Sequence, residues 1–194
     1  MPVNLGDSPQ SGFDEPIALL MDCHRRIERF LGMLLRVREA CDGRPLPQKY
    51  REAAEAALRY FAEAAPRHTE DEEQSLFPAM RASGDERVSA ALAQIDHLER
   101  EHEAAGEAHA EVDGLMRRWL DEDALDTPSL ERLHDRLTQL HTTYQRHIGE
   151  EDEVLFPLAA EVLSDDALET IGREMARRRG LEASLPPNPH GSKR

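Results

Sequence analysis

The sequence predicts an all-α protein, an antiparallel up-down-up-down four-helix bundle with a short fifth helix at its C-terminal end. Alanine, leucine, glutamate and arginine dominate the composition, and all four favour helices. Valine, isoleucine and threonine, which favour strands, are sparse. Apolar residues recur at helical spacing in the first predicted helix, and short connections separate four long helices, as in an up-down bundle.

The predicted elements follow in order along the chain. The long helices are expected at residues 14–40, 48–81, 85–120 and 128–163, and the short fifth helix at 165–179. The turn-rich segment 41–47 separates the first two helices, and Pro66 predicts a kink or a short interruption in the second. Thr127 is expected to cap the fourth helix, with Pro128 in its first turn, and Ser164 to cap the fifth. The chain is therefore divided into an N-terminal arm (1–13), a bundle (14–163), a short C-terminal helix (164–184) and a tail (185–194) whose proline-rich composition predicts disorder.

Two segments, in the second and fourth predicted helices, share a motif. Each reads histidine, three residues, glutamate, and then Leu-Phe-Pro at the same offset: His68, Glu72 and Leu76-Phe77-Pro78 in one, His147, Glu151 and Leu155-Phe156-Pro157 in the other. The His-Glu spacing alone is weak evidence, because acidic residues are abundant and His24/Glu28 and His97/Glu101 also match it. The shared Leu-Phe-Pro indicates that residues 14–81 and 85–163 are an internal duplication of one helix pair.

The duplication predicts a matching histidine in the first and third helices. His24 and His102 are 78 residues apart, against 79 for the two motif histidines, and each follows a leucine by four residues. His97 breaks this spacing and lies about 140° away from His102 around an ideal helix. The spacing therefore selects His102, and not His97, as the inward-facing residue.

A histidine and a glutamate four residues apart share one face of a helix, so both can point at one buried spot. The predicted metal ligands are His24, His68, Glu72, His102, His147 and Glu151. Four imidazoles and two carboxylates are too polar to bury in a bundle core without metal, and two ions bridged by both carboxylates use all six. Imidazole with carboxylate suits iron, with manganese or zinc also possible, whereas calcium and magnesium prefer oxygen ligands alone.

These features resemble the hemerythrin-like (HHE cation-binding) domain family over about residues 14–162. The resemblance is carried by the segment from Leu20 to His24, by the two motif segments, and by Glu101-His102-Glu103. It implies an oxo- or hydroxo-bridged di-iron centre without haem, held by the six residues above, that meets O2, NO or H2O2. Oxygen-carrying members have a fifth histidine one turn from another on the third helix, where this chain has Leu98 and Gly106. Open positions on both metals would favour chemistry or sensing over oxygen carriage.

The sequence leaves three functions open. One is an O2 or NO sensor or store, the second is a peroxidase- or catalase-like enzyme, and the third is an iron-responsive regulatory or interaction module. Glu28, one turn from His24, is expected to be solvated, and His109, two turns from His102, is a candidate channel residue. Glu73 is expected on a solvated acidic face.

The net charge of −15 argues against a nucleic acid or an anionic membrane as partner, since Arg177 to Arg179 form the one clear basic block. Cys23 and Cys41 form neither a CxxC pair nor a disulfide framework, which fits a reducing compartment. The first 13 residues do not resemble a signal peptide, and there is no stretch of about 18 apolar residues. We therefore expect a cytoplasmic protein.

Overall fold

The computed structural model describes residues 11–181, and every regular element in that range is a helix. In chain order the elements are α1 (Pro16–Ala40), α2 (Gln48–Glu63), α3 (Ala65–Asp71), π1 (Glu72–Leu76), α4 (Phe77–Ala82), α5 (Glu86–Glu122), α6 (Thr127–Glu150), π2 (Glu151–Leu155), α7 (Phe156–Val162) and α8 (Asp165–Arg178). The all-α prediction is thus confirmed. The predicted tail and most of the predicted N-terminal arm lie outside the described residues. None of the described helices is both long enough and apolar enough to cross a membrane.

Polar side chains fix where the later helices begin. Asp126 caps α6, because its carboxylate accepts a hydrogen bond from the N–H of Ser129. The prediction of Thr127 as this cap was wrong by one residue, since Thr127 is already helical. Pro128 lies in the first turn as expected, where a missing N–H costs nothing. Ser164 caps α8 as predicted.

Prolines set the interruptions in the second predicted helix. The short interruption expected near Pro66 is present, because α2 ends before Ala64 and α3 begins after it. Further along, Pro78 has no N–H to give to the carbonyl four residues earlier, and its ring would clash with that carbonyl in an α-helix. The backbone widens instead, and Phe77 donates its N–H to the carbonyl of Glu72, five residues back. The same Leu-Phe-Pro sequence produces π2, and neither π-helical turn was predicted.

The packing of the long helices leaves a polar layer between two apolar clusters. Both α1 and α5 pack against α2 and against α6. One cluster contains Ile27 of α1 and Ala105 of α5, and the other contains Leu20 and Leu98 of the same two helices. His24 and its counterpart on α5 lie between these positions along each helix. The core is therefore divided at the level of the predicted ligands.

α8 docks against α1, α3 and π1. Gly172 permits this close approach, since a Cβ there would lie 1.8 Å from the carbonyl oxygen of Phe13. Asp71, at the end of α3, is fully buried and binds Arg178 and Arg179 at 2.7 and 2.6 Å. Two of the three arginines in the predicted basic block therefore pair inside the protein.

Candidate metal centre

The structure brings all six predicted ligands together in two groups of three. His24, His68 and Glu72 form one group, and His102, His147 and Glu151 form the other. Within each group, one potential ligand atom from every residue lies within 4.8 Å of the others. The exposed fraction of these side chains does not exceed 7%. The six side chains therefore share one buried region.

The repeated motif positions one histidine and one carboxylate in each half of the chain. His68 precedes Glu72 by about one helical turn, and its Nε2 lies 3.2 Å from Oε1 of Glu72. His147 and Glu151 repeat this arrangement, with Nε2 of the histidine 3.2 Å from Oε2 of the glutamate. Each glutamate is the first residue of a π-helical turn, an element that is frequent at functional sites.

Both glutamates contact histidines of the opposite group. Oε2 of Glu72 lies 3.5 Å from Nε2 of His102, while Oε1 of Glu72 faces His24 at 3.6 Å. Oε2 of Glu151 lies 3.1 Å from Nε2 of His24. Each carboxylate therefore spans the two groups, which is the arrangement that a bridging ligand requires.

The two carboxylates are buried without conventional hydrogen bonds. No described residue donates a well-formed hydrogen bond to any of the four oxygens of Glu72 and Glu151, and Nε2 of His24 also lacks a partner. Burying ionisable groups in this way is costly unless a cation compensates them. Imidazole nitrogens and carboxylate oxygens are donors that divalent first-row metal ions accept. The residues present therefore fit a pair of metal ions.

The pKa values show how closely the ionisable groups are packed. Burial and the nearby charge of Glu151 raise the pKa of Glu72 to about 7. Burial would also raise the pKa of Glu151, but His147 and His24 outweigh it and hold that pKa below its usual range. Burial opposes a charge on His147 and on His24, yet the surrounding carboxylates raise the pKa of His147 to about 8 and that of His24 well above its usual value. For His68 burial prevails and lowers the pKa. Cations entering this site would therefore displace protons.

Three further carboxylates, none of them predicted as site residues, hold the outward nitrogens of the histidines. From their Nδ1 atoms, His24 donates to Asp152 at 2.7 Å, His102 to Glu73 at 2.9 Å, and His147 to Glu101 at 3.1 Å. Such bonds fix the orientation and tautomer of a metal-binding imidazole. Glu73 was expected on a solvated acidic face, and its side chain does keep 36% exposure, but its carboxylate also binds a histidine of the site, which was not predicted.

Two of these carboxylates cross between the halves of the chain. Asp152 and Glu73 each directly follow the motif glutamate of their own half, and each binds a histidine of the other half, His24 or His102. The sequence held a signal for this role, since both copies of the motif carry an acidic residue at that position. The partner of each acid depends on how the helices pack, which the signal did not specify.

A cavity of about 680 Å³ opens beside His102. Its lining includes Gly106 and His109 of α5 and Tyr144 of α6, so His109 does line a space next to the site. Nε2 of His109 lies 3.2 Å from the hydroxyl of Tyr144, and burial lowers the pKa of His109 to about 4, which keeps the ring neutral. A Cβ added at Gly106 would meet no described atom within 4 Å. The cavity therefore leaves room for a small molecule close to the site.

The other candidate residues lie outside the two groups. The side chain of His97 is 44% exposed and lies 3.3 Å from Glu101, so the structure places His102 and not His97 in the site. Glu28 is exposed, as expected. Cys23, directly before His24, is a buried free thiol.

Comparison with known proteins agrees with this geometry. The family model described as the Hemerythrin HHE cation binding domain matches residues 15–159, a range that contains all six residues of the site. An uncharacterized protein of Haemophilus influenzae is 31% identical over 170 residues, which cover 88% of this chain and 93% of that protein.

Proposed function

The chain belongs to the hemerythrin HHE cation-binding domain family, and we propose that it is a non-haem di-iron protein that binds, senses or reduces a small oxidant: O2, NO or H2O2. One observation carries this proposal. Two buried groups of two histidines and one glutamate face each other, and each glutamate lies within 3.6 Å of histidines from both groups. One ion rarely needs six protein donors of this kind, whereas two bridged ions use all of them.

The proposed ligand assignment follows the two groups. His24 and His68 would hold one ion and His102 and His147 the other, and Glu72 and Glu151, which each contact both groups, would be shared by the two ions. Imidazole and carboxylate donors without a thiolate favour iron, and manganese or zinc are the alternatives that metal analysis distinguishes. Asp152, Glu73 and Glu101 orient the ligating rings from outside.

The cavity beside the site supports the binding of a small molecule to the metal ions, in addition to the protein side chains. The resemblance to oxygen-carrying members would place a fifth histidine at Leu98 or Gly106, and neither position supplies an imidazole here. Gly106 instead lines the cavity that reaches His102. Bound iron would supply electron exchange with the oxidant. The chain itself would hold the ions, orient their ligands and keep bulk water away through the apolar clusters on either side.

We further propose that the long helices form an antiparallel up-down-up-down bundle built by internal duplication. The connections 41–47, 83–85 and 123–126 are short, and short connections favour antiparallel neighbours. The packing of α1 and α5 against both α2 and α6 agrees with this arrangement. The cross-bonds of Asp152 and Glu73 agree with a two-fold relation between residues 14–81 and 85–163.

Metal analysis of protein produced with added iron tests the centre directly. We expect about two iron ions per chain, because ligand residues of this kind and number hold a bridged pair. His102→Ala should lose iron, while His97→Ala, a matched change five residues away on the same helix, should retain it. Protein with no metal, or with a single zinc ion, would refute the di-iron assignment.

A second measurement separates the forms of the oxidant proposal. Iron-loaded protein that consumes H2O2 over many turnovers is a peroxidase- or catalase-like enzyme. Protein that changes its absorption spectrum with O2 or NO, without turnover, is a binder or sensor. If neither occurs and partner binding depends on iron, the regulatory interaction module is the better description.

A further inference from the structure

The two motif histidines differ at their outward nitrogens, although Nε2 of each lies 3.2 Å from its own motif glutamate. His147 donates from Nδ1 to Glu101 at 3.1 Å. Glu101 also pairs with Arg146, so the second half contains a histidine–carboxylate–arginine chain. Nδ1 of His68 is buried and has no hydrogen-bond partner among the described residues. The first half thus lacks the outer bond that the second half has.

The sequence identifies what is missing. Cys23 directly precedes the histidine of α1, as Glu101 directly precedes the histidine of α5, so a thiol stands in the place of the carboxylate. Arg67 corresponds to Arg146, because each directly precedes the histidine of its motif. Arg67 is exposed and pairs with no residue in the range 11–181. The first half therefore has the histidine and the arginine, His68 and Arg67, and lacks the carboxylate that would lie between them in the sequence correspondence.

The space around Cys23 agrees with a missing side chain. A cavity of about 410 Å³ is lined by Cys23 and Arg67 together with Arg26 and Tyr60. The guanidinium of Arg26 donates to Sγ of Cys23 at 3.1 Å, so the thiol is held against this cavity by a cation. A side chain longer than cysteine has room there, and the residues that line this cavity include three arginines and no acid.

We propose that the two metal positions differ in their affinity for iron, an inference that rests on the di-iron function proposed above. The ion held by His24, His68 and Glu72 is bound more weakly and is lost first. An outer partner raises the basicity of a ligating imidazole and fixes its orientation, and its loss typically lowers metal affinity roughly 10–100-fold. The hydrogen bonds from Nδ1 of the other two histidines do not offset this difference, because His24 and His102 each donate one, at 2.7 and 2.9 Å. Glu101 is thus a positioning residue for one ion, and the first half has no equivalent.

Anaerobic titration of the metal-free full-length protein with Fe(II), followed by calorimetry and absorbance, tests this inequality. Wild-type protein should bind two ions in resolved steps whose dissociation constants differ roughly 10–100-fold. Cys23→Glu should tighten the weaker step by about tenfold or more, because it supplies a carboxylate at the position that corresponds to Glu101. Cys23→Ser, which adds no carboxylate, is the matched control and should leave both steps unchanged.

The reciprocal change tests the same idea on the other ion. Glu101→Gln should weaken the tighter step and bring the two steps together, and Glu101→Asp should restore part of the separation. Glu101→Cys places a cysteine in the second half where the first half has Cys23. This variant keeps the test decisive if Cys23→Glu fails to fold. It should leave two weak sites.

The outcomes distinguish this inference from the function on which it rests. The difference in affinity would be overturned if both ions bound equally tightly. It would also be overturned if Glu101→Gln changed the weaker binding step and Cys23→Glu did not. Either result would leave the di-iron proposal standing. A protein that binds no Fe(II) in any variant would overturn the proposed function itself, and with it the inference.

Discussion

Replacing Asp71 with asparagine should loosen α8 from the helix that carries Glu72. The Asp71 carboxylate is fully buried, and its two oxygens contact Arg178 at 2.7 Å and Arg179 at 2.6 Å. Arg178 also donates to Ser75, inside π1. Asparagine keeps the size of the side chain and one acceptor oxygen, but it removes the charge that both guanidiniums face.

The size of the effect follows from burial. Removing one partner of a buried ion pair typically costs about 3–5 kcal/mol. The two arginine side chains keep 16% and 18% of their exposure, so water offsets part of the loss. We therefore expect the free energy of unfolding to fall by about 2–3 kcal/mol. For a domain of this size, that loss corresponds to a decrease in Tm of roughly 5–10 °C.

Urea unfolding of the metal-free protein measures this loss without the contribution of bound metal. Glu161→Gln is the matched control, because it removes the same kind of charge from an exposed pair with Arg87 at 2.6 Å. That change should cost less than about 0.5 kcal/mol. If Asp71→Asn costs no more than the control, α8 is not held by this pair and the reasoning is wrong.

Three further predictions concern the site and its surroundings. The surrounding carboxylates raise the pKa of His147 to about 8 in metal-free protein, so bound iron would displace protons. The affinity of the protein for iron should therefore rise as the pH increases towards 8. An affinity that calorimetry finds independent of pH would contradict this. Burial lowers the pKa of His109 to about 4, and the unfolded chain, with a value near 6.5, takes up the proton first. Urea unfolding should therefore show up to about 3 kcal/mol lost as the pH falls from 6.5 to 4, and a smaller loss in His109→Gln. Gly106→Leu should fill the cavity and slow azide binding to iron-loaded protein at unchanged iron content; equal rates in Gly106→Ala and Gly106→Leu would exclude the cavity as the path.

The helices were predictable because their signals are local. Propensity, the spacing of apolar residues and capping residues such as Ser164 act within a few turns of chain, and the all-α class followed from them. The π-helical turns were missed although their cause, a proline such as Pro78, was visible. Whether a proline kinks, ends or widens a helix depends on which backbone acceptors the surrounding structure can satisfy.

The six residues of the site were also predictable, because they lie in a motif that occurs twice. The four-residue spacing places His68 and Glu72 on one helix face without reference to the rest of the protein. The repeat interval then selected His102 over His97, and the structure brings His102 into the group. Their assignment as metal ligands stays a prediction until metal is measured.

The sequence by itself determined the helical class and the set of side chains that meet at the centre, since both depend on spacing along a helix. Only the tertiary structure decided which acids hold those histidines from outside. Asp152 and Glu73 reach across to the opposite half, whereas Nδ1 of His68 has no hydrogen-bond partner among residues 11–181. These contacts join residues far apart in the chain, so the choice of partner depends on how the helices pack, which the local motif does not specify.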